Sequence, residues 1–377
     1  MQAQVQRDVS APDQVIDDVH RFDVVLDNKF GLGAEKTVEE DDSKEQRQHH
    51  TKESAAHRAV VLVPQGLKPQ ARVDVVLHFH GNTGDVPSRP FPANRVRDDG
   101  GLRDRDLDRT EAQMKASGNP QLITVLPQGT NASQFGKVPT EPYIDEALRV
   151  VGPKLGWTKA PDYRVVLSAH SGGGFVVGRD LAAEVEADRK RSALAAKATK
   201  AGTPPPAGPA HPVAEVLLFE ANGLGPVQKW ADYQLNKVLA VVKDPAATEQ
   251  DRSAALADCP RLRAYTSTAS PSYMKTYKAL AQHFNGWFAT NKKALGPHFE
   301  ALRSRFQICK VNIPKDQREP ISGSSHEKVV HGVDGPAAKG PLAGAARVLK
   351  NTGSGVDQVD VDRGEGATAD CNQEWKE

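Results

Sequence analysis

The residues with the clearest chemical potential lie in "YRVVLSAHSGGGF", residues 163–175. Ser171 ends an apolar, β-rich run and precedes three glycines and a long helical pattern, the setting in which a serine is forced onto a sharp strand-to-helix turn. Such a turn needs small neighbours, and Ala169 and Gly173 fill the two positions that must be small. The segment reads small-x-Ser-x-small, with alanine where the first glycine is usual. A serine so placed presents its hydroxyl as a nucleophile, and the amide of Gly172, at the start of the helix, can point at a developing oxyanion. His170 adjoins the serine but points another way on such a turn and is not read as the base. The plain alternative is a glycine-rich loop whose serine caps a helix. A phosphate cradle would need Gly-Lys-Ser/Thr, and Gly-Gly-Gly-Phe follows Ser171 instead.

A nucleophilic serine needs a second oxyanion donor, a base and an acid to orient the base. "LHFHGNTG" ends an upstream strand with His80, Gly81 and Asn82, and the backbone N–H of Asn82 is the expected partner of the Gly172 amide. His78 and His80 on one strand face, like His49 and His50, lack a third ligand at useful spacing, so packing and loop shaping are expected rather than metal binding. Glu220 in "VLLFEANG" stands where a buried strand gives way to a turn and is the expected acid; its plain role is a turn-capping carboxylate. The next strand, "RLRAYTSTAS", ends without a carboxylate, which strengthens Glu220. After the last strand, "FQICKVNIP", comes "KDQREPISGSSHEKVVHG". Of twelve histidines, His326 and His331 alone sit where a base can reach back over the sheet edge, and His326 is preferred.

The elements that must position these residues are a succession of apolar strands alternating with helical patterns from residue 58 onward. Strands are expected at "RAVVLVPQ", "VDVVLHFHG", "QLITVLPQG", "YRVVLSAHSGGG", "VAEVLLFEANG", "RLRAYTSTAS" and "FQICKVNIP", with an earlier one at "HRFDVVLD". Near-continuous apolar strands alternating with helices predict an α/β fold: a mostly parallel sheet of about eight strands with helices on both faces. Ligands then gather beyond the carboxyl ends of the strands, where the singled-out residues fall. Residues 1–57 are expected to form a polar arm with the first strand and a charged loop. Residues 58–350 form the main domain, and 351–377 an acidic, disordered tail.

The order strand-His-Gly, strand-elbow-helix, strand-acid, strand-loop-His resembles the α/β-hydrolase superfamily over residues 58–350. The resemblance implies the α/β-hydrolase fold and a Ser-His-Glu mechanism. In it His326 takes the proton of Ser171, Glu220 holds the imidazole, and the Asn82 and Gly172 amides bind the tetrahedral oxyanion on the way to an acyl-enzyme. It calls for no metal or organic cofactor. Two departures stand out: Ala169 in place of the first elbow glycine, and an acid one strand earlier than is usual. Two readings outside hydrolysis share the same residues, acyl transfer to another acceptor and a binding protein without catalysis.

Composition narrows the partners. The 49 basic and 48 acidic residues nearly cancel, so no general attraction to nucleic acid or an anionic membrane is expected, and no apolar run is long enough to span a bilayer. A small-molecule or acyl-bearing substrate fits better. The charged segment 83–109 and the stretch 224–258, both over the strand ends, favour a water-soluble ester or amide. Cys259, Cys309 and Cys371, an odd number at wide spacing, are expected to be thiols, and the N-terminus lacks the apolar stretch of a signal peptide, so the cytoplasm is the default location.

Overall fold

The computed structural model describes residues 14–16, 19–27, 29–31, 58–67, 72–81, 95–96, 102–103, 110, 114, 119–127, 129, 133, 135–208, 211–312 and 368–371. Runs of valine, leucine and isoleucine become strands because branched side chains suit the pleated surface and both sides of the ribbon are buried. They are β1 (Gln14–Ile16), β2 (Val19–Val25), β3 (Arg58–Pro64), β4 (Val73–Phe79), the short pair β5 (Arg95–Val96) and β6 (Leu102–Arg103), β7 (Leu122–Pro127), β8 (Tyr163–His170), β9 (Val213–Phe219), β10 (Arg261–Ser267), β11 (Phe306–Asn312) and β12 (Thr368–Cys371). The helices are α1 (Thr140–Val151), α2 (Gly174–Ala201), α3 (Leu224–Lys243), α4 (Glu249–Asp258), α5 (Pro271–Leu295) and α6 (Phe299–Arg303).

Ten strands form one sheet in the order β1-β2-β3-β7-β4-β8-β9-β10-β11-β12. The stretch from β7 to β11 is parallel throughout, and β1, β3 and β12 run antiparallel to their neighbours. The expected sheet of about eight strands is thus present from β2 to β11, with β1 and β12 added at its edges. Because β2 is an integral strand of this sheet, the N-terminal arm and the main domain share one core. Alternate residues of the eight strands from β2 to β11 in the sheet, such as Val75, Leu77, Val165, Leu167, Val216 and Leu218, pack against buried side chains of all six helices. The opposite face buries Val60, Val76, Leu217 and Tyr265 beside Met114. Residues 107–118, apart from Thr110 and Met114, and residues 335–351 lie outside the described residues. Two ion pairs lie on that second face, Glu215–Arg263 fully buried and Asp74–Arg164 with its arginine partly exposed.

Two expectations need correction at the C-terminus. Thr368–Cys371, within the segment expected to be a disordered tail, pairs along β11, where the edge would otherwise present open backbone groups. Cys309 and Cys371, expected to be thiols, face each other in that pairing and are joined as a disulfide. The spacing of 62 residues hid the pair, since nothing local brings the two together. Cys259 is a buried thiol, and burial pushes its pKa up to about 12, so it is inert at neutral pH. No helix among the described residues is long and apolar enough to cross a membrane.

Candidate active site

The sheet register decides which strand ends meet. Phe79 pairs with Ala169 and His170 with Phe219, while Phe219 pairs with Tyr265 on its other side. Gly81, Ser171 and Glu220, just past the ends of β4, β8 and β9, therefore stand level with Thr266 near the end of β10, along the carboxyl edge of four consecutive parallel strands.

Ser171 follows β8 directly and opens a single 3-10 turn, Ser171–Gly173, that runs into α2. Its φ of 49° is in the left-handed region, where a side chain meets its own carbonyl and only glycine is at ease. The turn closes because its neighbours are small. A Cβ on Gly173 would lie 2.3 Å from the Phe79 carbonyl oxygen, and one on Gly174 would lie 2.2 Å from the Asn222 carbonyl oxygen. Ala169 is fully buried. A Cβ on Gly81 would lie 2.9 Å from the Ser171 Cβ, so the chain leaving β4 passes against the serine. Asn82, the expected second oxyanion donor, lies outside the described residues. Gly172 is half-buried within the turn.

His80 shapes the approach of that loop. Its Nε2 accepts the Gly129 N–H at 3.2 Å, so Nδ1 carries the proton and donates to the Gly81 carbonyl at 2.7 Å. His78 lies 2.8 Å from the Ser168 hydroxyl. Among the described residues no group of three or more potential metal ligands comes together.

Glu220 follows β9 as Ser171 follows β8, and it too has positive φ, 42°. Its carboxylate is fully buried and held from one side by β10 and the turn after it. Oε1 accepts the Ser267 N–H at 2.6 Å and the Thr266 hydroxyl at 3.4 Å, and Oε2 accepts the Ser270 hydroxyl at 3.0 Å. The strand end that offered no carboxylate in the sequence supplies the donors that fix one. The turn is also tied to the elbow, because the Asn222 N–H donates to the Ser171 carbonyl at 2.8 Å. Beneath it the Ala221 N–H donates to the Tyr277 phenol oxygen at 2.7 Å, and burial holds that phenol protonated far above its ordinary range.

A mostly parallel sheet of eight strands from β2 to β11, with the chain turning from a central strand into a helix at Ser171, decides the architecture. The fold is that of the α/β hydrolases. No protein-family model and no curated protein sequence matches the chain. Among solved structures it is similar to carboxyl esterase 2 from Tuber melanosporum, at 14% identity over 78% of this chain and 82% of that one, with a TM-score of 0.31. It is similar also to an inhibited esterase B from Lactobacillus rhamnosis, at 13% identity over 76% and 80% with a TM-score of 0.29. A third likeness is to a fungal esterase from Rhizomucor miehei, at 12% identity over 70% and 71% with a TM-score of 0.27. Likenesses this distant add nothing to the chemistry of this chain.

Two features depart from the usual α/β-hydrolase pattern as the sequence suggested: Ala169 two residues before the serine, and the carboxylate one strand early. The strands thus bring Ser171, Gly172, Gly81 and Glu220 to one edge. His326 and His331, the expected bases, lie outside the described residues. Sequence reasoning missed Tyr273. From the first turn of α5 its phenol oxygen lies 3.3 Å from Ser171 Oγ and accepts the Asn222 Nδ2–H at 3.4 Å. In the sequence it is one aromatic of an amphipathic helix, and nothing local separates it from core tyrosines such as Tyr277.

Proposed function

We propose that this chain is a serine hydrolase that cleaves carboxylic esters through an acyl-enzyme. Ser171 is the nucleophile, His326 the general base, Glu220 the acid that orients it, and the Gly172 and Asn82 amides the oxyanion hole. The imidazole takes the serine proton as Oγ attacks the carbonyl carbon, and the two amides bind the resulting oxyanion. Collapse expels the alcohol, which takes its proton from the imidazolium and leaves an acyl group on Ser171. Water, deprotonated by the same histidine, then attacks, and Oγ departs with its electron pair and recovers a proton. Glu220 stays ionised, fixing the imidazole tautomer and stabilising its charged form.

The observation that carries this reading is the pairing of two strained residues. Ser171 and Glu220 end adjacent parallel strands, both at positive φ, and the Asn222 N–H bonded to the Ser171 carbonyl joins their turns. Left-handed backbone at a non-glycine residue costs on the order of 1–3 kcal/mol, and such strain gathers at functional sites. A plain helix cap would need neither turn. The charged segment 83–109 favours a small, water-soluble ester, with an amide as the harder variant of the same reaction.

The test is labelling by a fluorophosphonate with peptide mapping, followed by turnover on esters of increasing acyl length. Wild type takes the label on Ser171, and Ser171→Ala loses both label and turnover. Native protein that takes no label, or a Ser171→Ala variant with wild-type turnover, would sink the reading. His326→Ala is as severe as the serine variant and His331→Ala mild. The reverse result moves the base five residues along.

A further inference from the structure

We propose that Tyr273 is a further catalytic residue, the hydrogen-bond donor that assists departure of Ser171 Oγ when the acyl-enzyme is hydrolysed. The inference rests on Ser171 being the nucleophile and adds to that reading a group outside the serine, histidine, acid and oxyanion set. Tyr273 stands in the first turn of α5, directly after the segment whose Ser267 N–H and Ser270 hydroxyl hold Glu220. Its phenol oxygen is 3.3 Å from Ser171 Oγ. Asn222 Nδ2 donates to the same phenol oxygen at 3.4 Å, and the Asn222 backbone N–H donates to the Ser171 carbonyl, so one residue of the acid's turn braces both the serine and the tyrosine. Either hydroxyl can donate across the 3.3 Å contact; because the phenol oxygen already accepts the Asn222 amide, the proposed role takes the phenol as the donor to Oγ. The serine's proton is then left for the base, as the reaction requires. Hydrogen bonds to a nucleophile are commonly this long without substrate and tighten as charge develops.

The direction of that bond determines which half of the reaction gains. In acylation Oγ is the attacking atom, and a donor on it withdraws some of the density it needs. In deacylation the C–Oγ bond breaks, its electron pair stays on Oγ, and the imidazolium proton moves onto that oxygen. A phenol O–H aimed at Oγ stabilises the negative charge as it forms, and the phenol keeps its own proton throughout. A donor to a charged acceptor is worth roughly ten to a hundredfold in rate once water is excluded.

The experiment is stopped-flow hydrolysis of p-nitrophenyl butyrate by wild type and Tyr273→Phe, with intact-mass detection of the acyl-enzyme and fluorophosphonate labelling as the control on the nucleophile. In Tyr273→Phe, kcat and KM are expected to fall together by about tenfold or more while kcat/KM stays within about twofold. Butyryl-Ser171 should accumulate in the steady state, and the label should still reach one per chain. Asn222→Ala, which keeps the tyrosine and removes its side-chain brace, should show the same pattern more weakly, and it carries the test if Tyr273→Phe does not fold. Wild-type kcat in the variants, or a fall in kcat/KM without accumulated acyl-enzyme, overturns the role of Tyr273. Absence of label on wild-type Ser171 overturns the nucleophile reading itself, a separate failure read on a different sample.

Discussion

The turn after β8 and the turn after β9 begin alike and are held in opposite ways. Both start with a non-glycine residue at positive φ, Ser171 at 49° and Glu220 at 42°. The first is fixed through its backbone. Gly173 packs on the Phe79 carbonyl and Gly174 on the Asn222 carbonyl, while the serine hydroxyl has a loose 3.3 Å neighbour in Tyr273. The second is fixed through its side chain, with donors from Ser267, Thr266 and Ser270 on one carboxylate. In the proposed mechanism, the group that attacks is thus loosely held on a rigid turn, and the group that only orients another is locked in place.

The widest separation between the two turns is expected in catalysis. Ser171→Ala should lower kcat/KM by about 10⁴-fold or more, whereas Glu220→Gln should retain about 10 to 100 times the activity of His326→Ala, because an orienting acid contributes less than the groups that move the proton. Ester kinetics on the three purified variants check this, and equal losses in all would break the comparison. The backbone brace is tested next. Gly173→Ala drives a Cβ into a carbonyl oxygen and should cost about 2–4 kcal/mol in urea unfolding along with most of the activity. A variant as stable as wild type would show that glycine is not what closes the turn.

A smaller effect separates the turns by sign. Ser171→Gly removes left-handed strain and little else, so it should stabilise the fold by about 1 kcal/mol. Glu220→Gly removes the same strain but strips the acceptor from a buried N–H and two hydroxyls, and should destabilise it by about 2 kcal/mol. Shifts of the same sign in the two unfolding curves would mean that the turns are held alike.

Glu184 on α2 shows what burial does to a carboxylate that lacks such donors. Burial pushes its pKa from 4.5 up to about 7, against smaller pulls from the Trp230 indole and Lys237. The fold favours its protonated form, so stability should fall as pH rises from about 4.5 to 7, and the loss persists above that range. The residue as a whole is half-buried, and the effect is on the order of 1–3 kcal/mol. Glu184→Gln should flatten that slope in unfolding curves taken between pH 4.5 and 8, and an unchanged slope would assign it to another group.

The sequence by itself determined the strands and the elbow, because both depend on neighbours along the chain. Branched apolar runs make "RVVL" a buried strand, and small residues around Ser171 permit only one kind of turn. The long helical pattern after Ser171 was legible for the same reason and is α2. Glu220 was legible as a carboxylate ending an apolar strand. Its anchoring was not, since Thr266, Ser267 and Ser270 read only as a polar strand end. Tyr273 beside Ser171, Gly174 against Asn222, the buried Glu215–Arg263 pair and the Cys309–Cys371 disulfide were decided by the tertiary structure alone. Each depends on the lateral register of strands or helices 48 to 102 residues apart, as in Glu215–Arg263 and Ser171–Tyr273. Local propensity carries no record of that register. It is set when the whole sheet assembles, because only then does burying one face fix which strand ends stand side by side.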